Sequence, residues 1–277
     1  MIDIEATHPT YKTRLTEWNK CNDCYTGEDA IKLKTTAYLP KLDIHDDTTD
    51  GKKGYADYLA RATFFGVVST VVTGRVGQVM RIPASTNLPD AMQSWSQTIM
   101  RDKSNLTELT KRVLTEILTT GRVGLLLDRP ESGGDPYIAL YKAQDITNWE
   151  MQNDRLVRVV LKENTVVKTE TKAGKTIQAT QVQYRELRLN EFEQYEVGIW
   201  QQKDGQFYES ETITPRNAGL AITEIPFQFI NAGTISANTS KPPLLDLANL
   251  NVAHYRNSAD YEQLLHRVGV AATFYAA

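Results

Sequence analysis

The chain has 277 residues, a formal net charge of -3, 41% hydrophobic and 23% charged residues, enough for one large apolar core or two modest ones. Acids slightly outnumber bases and the Lys and Arg residues are spread along the chain, which excludes a protein whose main task is to grip duplex DNA by neutralising phosphates. No apolar run nears the roughly 18 residues that cross a bilayer, and the acidic start around Asp3 and Glu5 lacks the basic and apolar regions of a signal peptide.

In chain order, 8–22 reads as a helix with Tyr11, Leu15, Trp18 and either Cys21 or Cys24 on one face. Residues 31–39 alternate and read as extended, stopping at Pro40. The polar, glycine-bearing stretch 43–54 reads as a mobile loop. Residues 55–79 show helical spacing throughout and predict one long helix ended by Pro83, with Gly66, Gly74 and Gly77 suggesting burial against other helices. A shorter helix follows over 90–100 behind Pro89, then another over 106–118, with Asn105 or Ser104 as N-cap and Glu108 placed to complete the box. At Gly121 the period changes. Strands are predicted over 123–128, 137–141, 155–161, 182–189, 195–201, 206–211 and 226–230. Turn signals separate them at 131–134, Gln152-Asn153-Asp154, Ala173-Gly174-Lys175 and Lys203-Asp204-Gly205. After Pro242-Pro243, residues 244–268 predict about seven turns of uninterrupted helix whose apolar residues thin out past Leu250. The class is α+β: N-terminal helices, a mostly antiparallel β region, and a long terminal helix. The pentapeptide Thr-Gly-Arg-Val-Gly occurs at 73–77 and again at 120–124. Both copies are expected at helix exits, where glycine supplies a positive φ.

Chemistry-bearing motifs are few. Cys21 and Cys24 form a lone Cys-x-x-Cys with no second pair to complete a zinc site, and read as two reduced thiols. Ala173-Gly174-Lys175-Thr176 ends like a phosphate-binding loop, but position 169 is Thr where that loop needs Gly. His254 and His266 lie twelve positions apart on one helix, roughly 18 Å along its axis, too far to share a metal. Asp43, Asp46, Asp47 and Asp50 could hold a hard cation weakly but read as solvated loop charges. Glu191, Glu193, Glu209 and Glu211 read as solvent-facing, and Trp149 as a packed anchor. No catalytic, cofactor or metal residues are assigned, and no enzyme activity is expected.

The order of landmarks resembles the portal proteins of tailed bacteriophages, of the portal-like kind found in siphophages and prophages. The stretches that carry it are Trp18 and Gly27 leading to Tyr38-Leu39-Pro40, then 55–62, the glycine-bearing stretch 73–83, and 120–128 with Pro130. Pro136-Tyr137, Tyr141, Ile146-Thr147-Asn148-Trp149, Tyr184-Arg185-Glu186-Leu187, and Pro242 to Ala248 with His254-Tyr255 complete it. The resemblance spans most of the chain, although each motif is short and structural. It implies a subunit of a homo-oligomeric ring, usually of twelve copies, at the capsid vertex of the virion. Through that ring DNA is packaged and ejected without sequence-specific contact. The other implied partners are the major capsid protein, terminase and the head–tail connector, with assembly in the host cytoplasm and no membrane. By the same resemblance 1–240 would form the wing and 241–277 a linker and the first stem helix, the chain stopping where a clip would begin. The stem interface would then use Leu247, Leu250, His254, Tyr255, Tyr261 and Leu265. The alternatives are another phage head-completion or minor capsid protein, or a metal-dependent nucleic-acid-processing enzyme built on the 43–50 loop.

Overall fold

The computed structural model describes residues 3–82, 86–130, 133–170 and 176–268. The fold is α+β, with helices, antiparallel sheets and a terminal helix. Two units form, each from more than one stretch of chain: Met1–Thr16, Pro83–Ile117 and Gly121–Lys241 in the first, Glu17–Ile82, Leu118–Thr120 and Pro242–Ala277 in the second. The expected division into 1–240 and 241–277 is therefore corrected. The terminal helix belongs with the early helices, because its inner face supplies the apolar surface they need.

The helices are α1 (Pro9–Thr26), α2 (Glu28–Leu33), α3 (Thr49–Arg61), α4 (Val67–Met80), α5 (Asp90–Ser96), α6 (Leu106–Thr120) and α7 (Leu245–Val268). The strands are β1 (Arg122–Asp128), β2 (Tyr137–Lys142), β3 (Ile146–Gln152), β4 (Arg155–Glu170), β5 (Thr176–Leu189), β6 (Tyr195–Lys203), β7 (Gln206–Ile213), β8 (Arg216–Asn217), β9 (Leu220–Ala221) and β10 (Phe227–Asn231).

The first unit holds three antiparallel sheets, ordered β10-β1-β2, β3-β4-β5-β6-β7 and β8-β9. Two-residue turns close three hairpins. Asn153 and Asp154, Asp204 and Gly205, and Ala218 and Gly219 all have positive φ, as a hairpin turn matched to strand twist requires. Leu125, Ile138 and Leu140 pack with Ile99, Met100, Leu109, Leu106 and Trp95 on one side of the small sheet. Asn105 starts α6 by accepting from the Glu108 backbone N–H at 2.9 Å, and Gly121 ends it in the left-handed region at φ 79. On the large sheet, Glu186 is fully buried. Its carboxylate accepts from Arg158 Nε (2.5 Å), Arg188 Nη1 (2.9 Å) and Trp200 Nε1 (3.0 Å), the hydrogen-bonded pairing that a buried charge needs.

The second unit is helical. Trp18, Cys21 and Cys24, spaced three apart on α1, are all fully buried. Both thiols are free, and burial pushes each up to about 12, which keeps them protonated. Cys24 Sγ donates to the Ala248 carbonyl of α7 at 3.8 Å.

Several expected elements are corrected. Residues 31–39 are not extended but form the end of α2 and a 3-10 turn over Thr35–Ala37. Glu28 and Asp29 favour the helix by occupying its first turn, and Lys32 pairs with Glu28 at 2.8 Å. The 43–54 loop ends at Thr48, whose hydroxyl caps α3 by accepting from Gly51 N–H at 3.1 Å. Capping there outweighs the cost of Gly51 and Gly54 inside the helix. The single helix over 55–79 is broken at 62–66, where Phe64 turns into the core (6% exposed). Strand β3 was not foreseen around Trp149, and β4 runs nine residues past 161 as half of a polar ribbon with β5. The 173–175 turn and Pro83 lie outside the described residues. The first Thr-Gly-Arg-Val-Gly copy sits inside α4, not at a helix exit. Glu209 is half-buried and accepts from Arg188 Nη2 at 2.8 Å, so it is not simply solvent-facing.

Candidate functional site

Helix α7 begins after Pro242, with Asp246 in its first turn and His266 and Arg267 in its last, both favourable to the helix dipole. Leu245, Ala248, Val252, Tyr255 and Ala259 recur at alternating steps of three and four and are all buried. That spacing makes one stripe along a helix, and this stripe packs on α3 and α4. Polar contacts flank the seam. Tyr58 Oη donates to Asp260 Oδ1 (2.5 Å), Thr63 N–H to Ser258 Oγ (3.1 Å) and Asn251 Nδ2 to the Phe65 carbonyl (2.9 Å). Arg61 Nη2 donates to Gln263 Oε1 (2.5 Å), and Arg256 Nε to the Tyr38 carbonyl (2.7 Å).

A second apolar stripe runs along the opposite side. Leu250 is 66% exposed, Tyr261 59%, Leu264 58%, Leu265 47% and Val268 72%. At 3.6 residues per turn Leu250, Tyr261 and Val268 point the same way, about half a turn from Val252 and Ala259, with Leu264 and Leu265 on either side of them. From the bend between α3 and α4, Phe65 (54% exposed) joins this stripe by meeting the His254 ring edge-on at 5.2 Å. Each large aliphatic side chain left in water forgoes ~1.5–3 kcal/mol of burial.

The residues expected at a stem interface divide between the two sides. Leu250, Tyr261 and Leu265 lie on the outer stripe, His254 is exposed beside Phe65, and Leu247 is half-buried. Tyr255 is corrected: it is fully buried with its ring against Phe64 at 5.9 Å, and burial raises its phenol to about 12. Leu264, Val268 and Phe65 were missed. The first two follow Tyr261 at helical spacing and were findable on that ground. Phe65 was not, because it seemed to lie within a continuous helix.

Beside the last turns of α7 is a cleft of about 440 Å³ lined by His45, Asp46, Asp50, Arg61, Gln263 and Arg267 among others. His45 is 3% exposed, and its Nδ1 accepts from the Leu42 backbone N–H at 3.2 Å. Burial first, then Arg267, Lys41 and Arg61, lower its pKa and keep the ring neutral. Asp46 Oδ1 accepts from the Thr48 N–H and hydroxyl, so this acid helps to start α3. Among the described residues no group of three His, Cys, Asp or Glu could hold a metal ion, and no helix is long and apolar enough to cross a membrane.

A family profile described as "Domain of unknown function (DUF4055)" matches residues 243–276, the stretch that contains α7. No curated protein matches the chain.

Proposed function

We propose that the chain is a structural subunit of a phage portal ring at the capsid vertex, assembling with copies of itself through the outer stripe of α7 and carrying out no catalysis. The observation that carries this reading is the two-sided helix. One apolar stripe is spent on the helix's own unit, while Leu250, Tyr261, Leu264, Leu265 and Val268 face outward. A closed ring needs such a surface on every copy, with a complementary one on the next. In this reading the further partners are the major capsid protein, terminase and the head–tail connector, and DNA passes without sequence-specific contact.

A second reading, a head-completion or minor capsid protein, is favoured by one observation. Over its first four turns α7 packs one face, Leu245, Ala248, Val252, Tyr255 and Ala259, onto its own unit instead of standing clear of it. Sedimentation and negative-stain microscopy separate the two. The portal reading expects ring-shaped particles whose formation is abolished by Leu264→Asp combined with Leu265→Asp, while thermal stability stays unchanged. A chain that remains monomeric at every soluble concentration overturns it.

A further inference from the structure

The segment 3–10 is a strap on the five-stranded sheet, with Ala6 and His8 held at the start of its edge strand β3 and Ile4 packed against residues of β4 and β5. His8 N–H donates to the Thr147 carbonyl (3.0 Å), Asn148 Nδ2 to the Ala6 carbonyl (3.0 Å), and Tyr11 Oη to the Gln144 carbonyl (2.8 Å). At one end Ile4 is buried with Val160 and Tyr184. An edge strand covered in this way is kept from pairing with other chains.

His8 holds the strap in two ways. Its ring lies flat on Trp149, centroids 4.0 Å apart and planes 16° from parallel. Its Nδ1 accepts from the Thr10 backbone N–H (3.3 Å) and contacts the Thr10 hydroxyl (2.8 Å). The Tyr11 and Lys12 N–H groups donate to its carbonyl (2.9 and 3.4 Å). His8 is thus the N-cap of α1, with Pro9 preset as the first helical residue. The Arg122 guanidinium, 1% exposed, sits 4.0 Å from the same Trp149 ring and 4.2 Å from the Phe229 ring. Two groups that close to one ring take its opposite faces, which gives the tier His8, Trp149, Arg122, Phe229.

A proton on Nδ1 removes the cap acceptor and adds a positive charge at the positive end of α1. It also places a second cation across one indole from Arg122. The charged groups facing the strap here are Arg122 from β1, Glu150 from β3, which lines a cleft together with His8, Thr10 and Trp149, and Asp145, which acts on Tyr11. Glu150 is exposed and already accepts from Gln152 Nε2 at 3.1 Å, so solvent screens its pull on the ring. Burial and then Arg122 lower the His8 pKa from 6.5, so the neutral ring is the native form.

We propose that His8 is an acid-sensitive catch, whose protonation releases the strap from Trp149 and uncovers the β3 edge while the five-stranded sheet stays folded. With a folded pKa below 6.5, the stabilisation is complete above the unfolded value and is lost as the pH falls through the folded one.

Amide protection measured by NMR on the full chain tests this. Between about pH 7.5 and about pH 5, corrected for intrinsic exchange, the Tyr11 and Lys12 amides should lose about tenfold or more of their protection, while β4 and β5 lose none. His8→Asn, which keeps a cap acceptor but does not titrate, should abolish that loss; His45→Asn should leave it intact. Equal loss in wild type and His8→Asn overturns the proposal. So does a direct titration of the wild-type His8 ring at or above 6.5, a readout that does not depend on any variant folding.

Discussion

Gly121 and Gly124 stand three positions apart and serve different ends. Gly121 ends α6 at φ 79, where a Cβ clashes with the backbone, so Gly121→Val should cost ~1 kcal/mol or more. Gly124 has ordinary strand geometry, but a Cβ there would meet Phe227 Cζ at 2.2 Å and Ile146 Cδ1 at 2.9 Å. Gly124→Ala should therefore cost ~1–3 kcal/mol through overpacking. Urea titration of both variants checks the pair, and a Gly121→Val protein that unfolds at the wild-type midpoint would show that the helix-to-strand boundary is misplaced. The first of these roles was legible, since the hydrophobic period changes at Gly121. The second was not, because it depends on a ring delivered from β10, a hundred residues later. The same limit hid Glu186 and Arg122. In sequence they are ordinary strand charges, and only the register of β4, β5 and β6 brings Arg158, Arg188 and Trp200 onto one carboxylate.

Among whole elements, helices with clear start and stop signals were the readable ones. Asn105 and Glu108 placed the start of α6, and Asn105→Ala should lower thermal stability by ~1 kcal/mol, with Asn105→Asp restoring most of it. The two Thr-Gly-Arg-Val-Gly copies show where local reading stops. The same five residues lie inside α4 at 73–77 and span the exit of α6 and the start of β1 at 120–124. In α4 a buried line of Val68, Val72 and Val76 holds the helix through both glycines. After Gly121 the antiparallel pairing of Val123 with Lys142 and Ile230 claims the chain for a sheet. Neither outcome is written in the pentapeptide; tertiary pairing decides it. The β4–β5 ribbon escaped notice for a related reason. Over residues 164–170 and 176–182 neither of its strands pairs with a third named strand. With Val166 66% exposed, it buries too little for hydrophobic alternation to appear. It extends about 23 Å by strand rise over its last seven residue pairs.

For the whole molecule, the fold class was readable and the unit boundaries were not, because three separated stretches make the helical unit. The candidate interface was half readable. Helical spacing pointed to Leu250, Tyr261 and Leu265, but only packing reveals that Tyr255 faces inward. The bond from Cys24 to the Ala248 carbonyl closes a separation of 224 residues. On the ribosome α1 is made well before α7, so the contact between Cys24 and Ala248 cannot form until α7 emerges. During that interval the two thiols of α1 lack the Ala248 side of their surroundings, which the docking of α7 supplies. Ala248→Asp, which places a charge in that seam, should keep them open. In native buffer both cysteines should then react with a thiol reagent at least about tenfold faster than in the wild type. Equal rates would mean that another element shelters them.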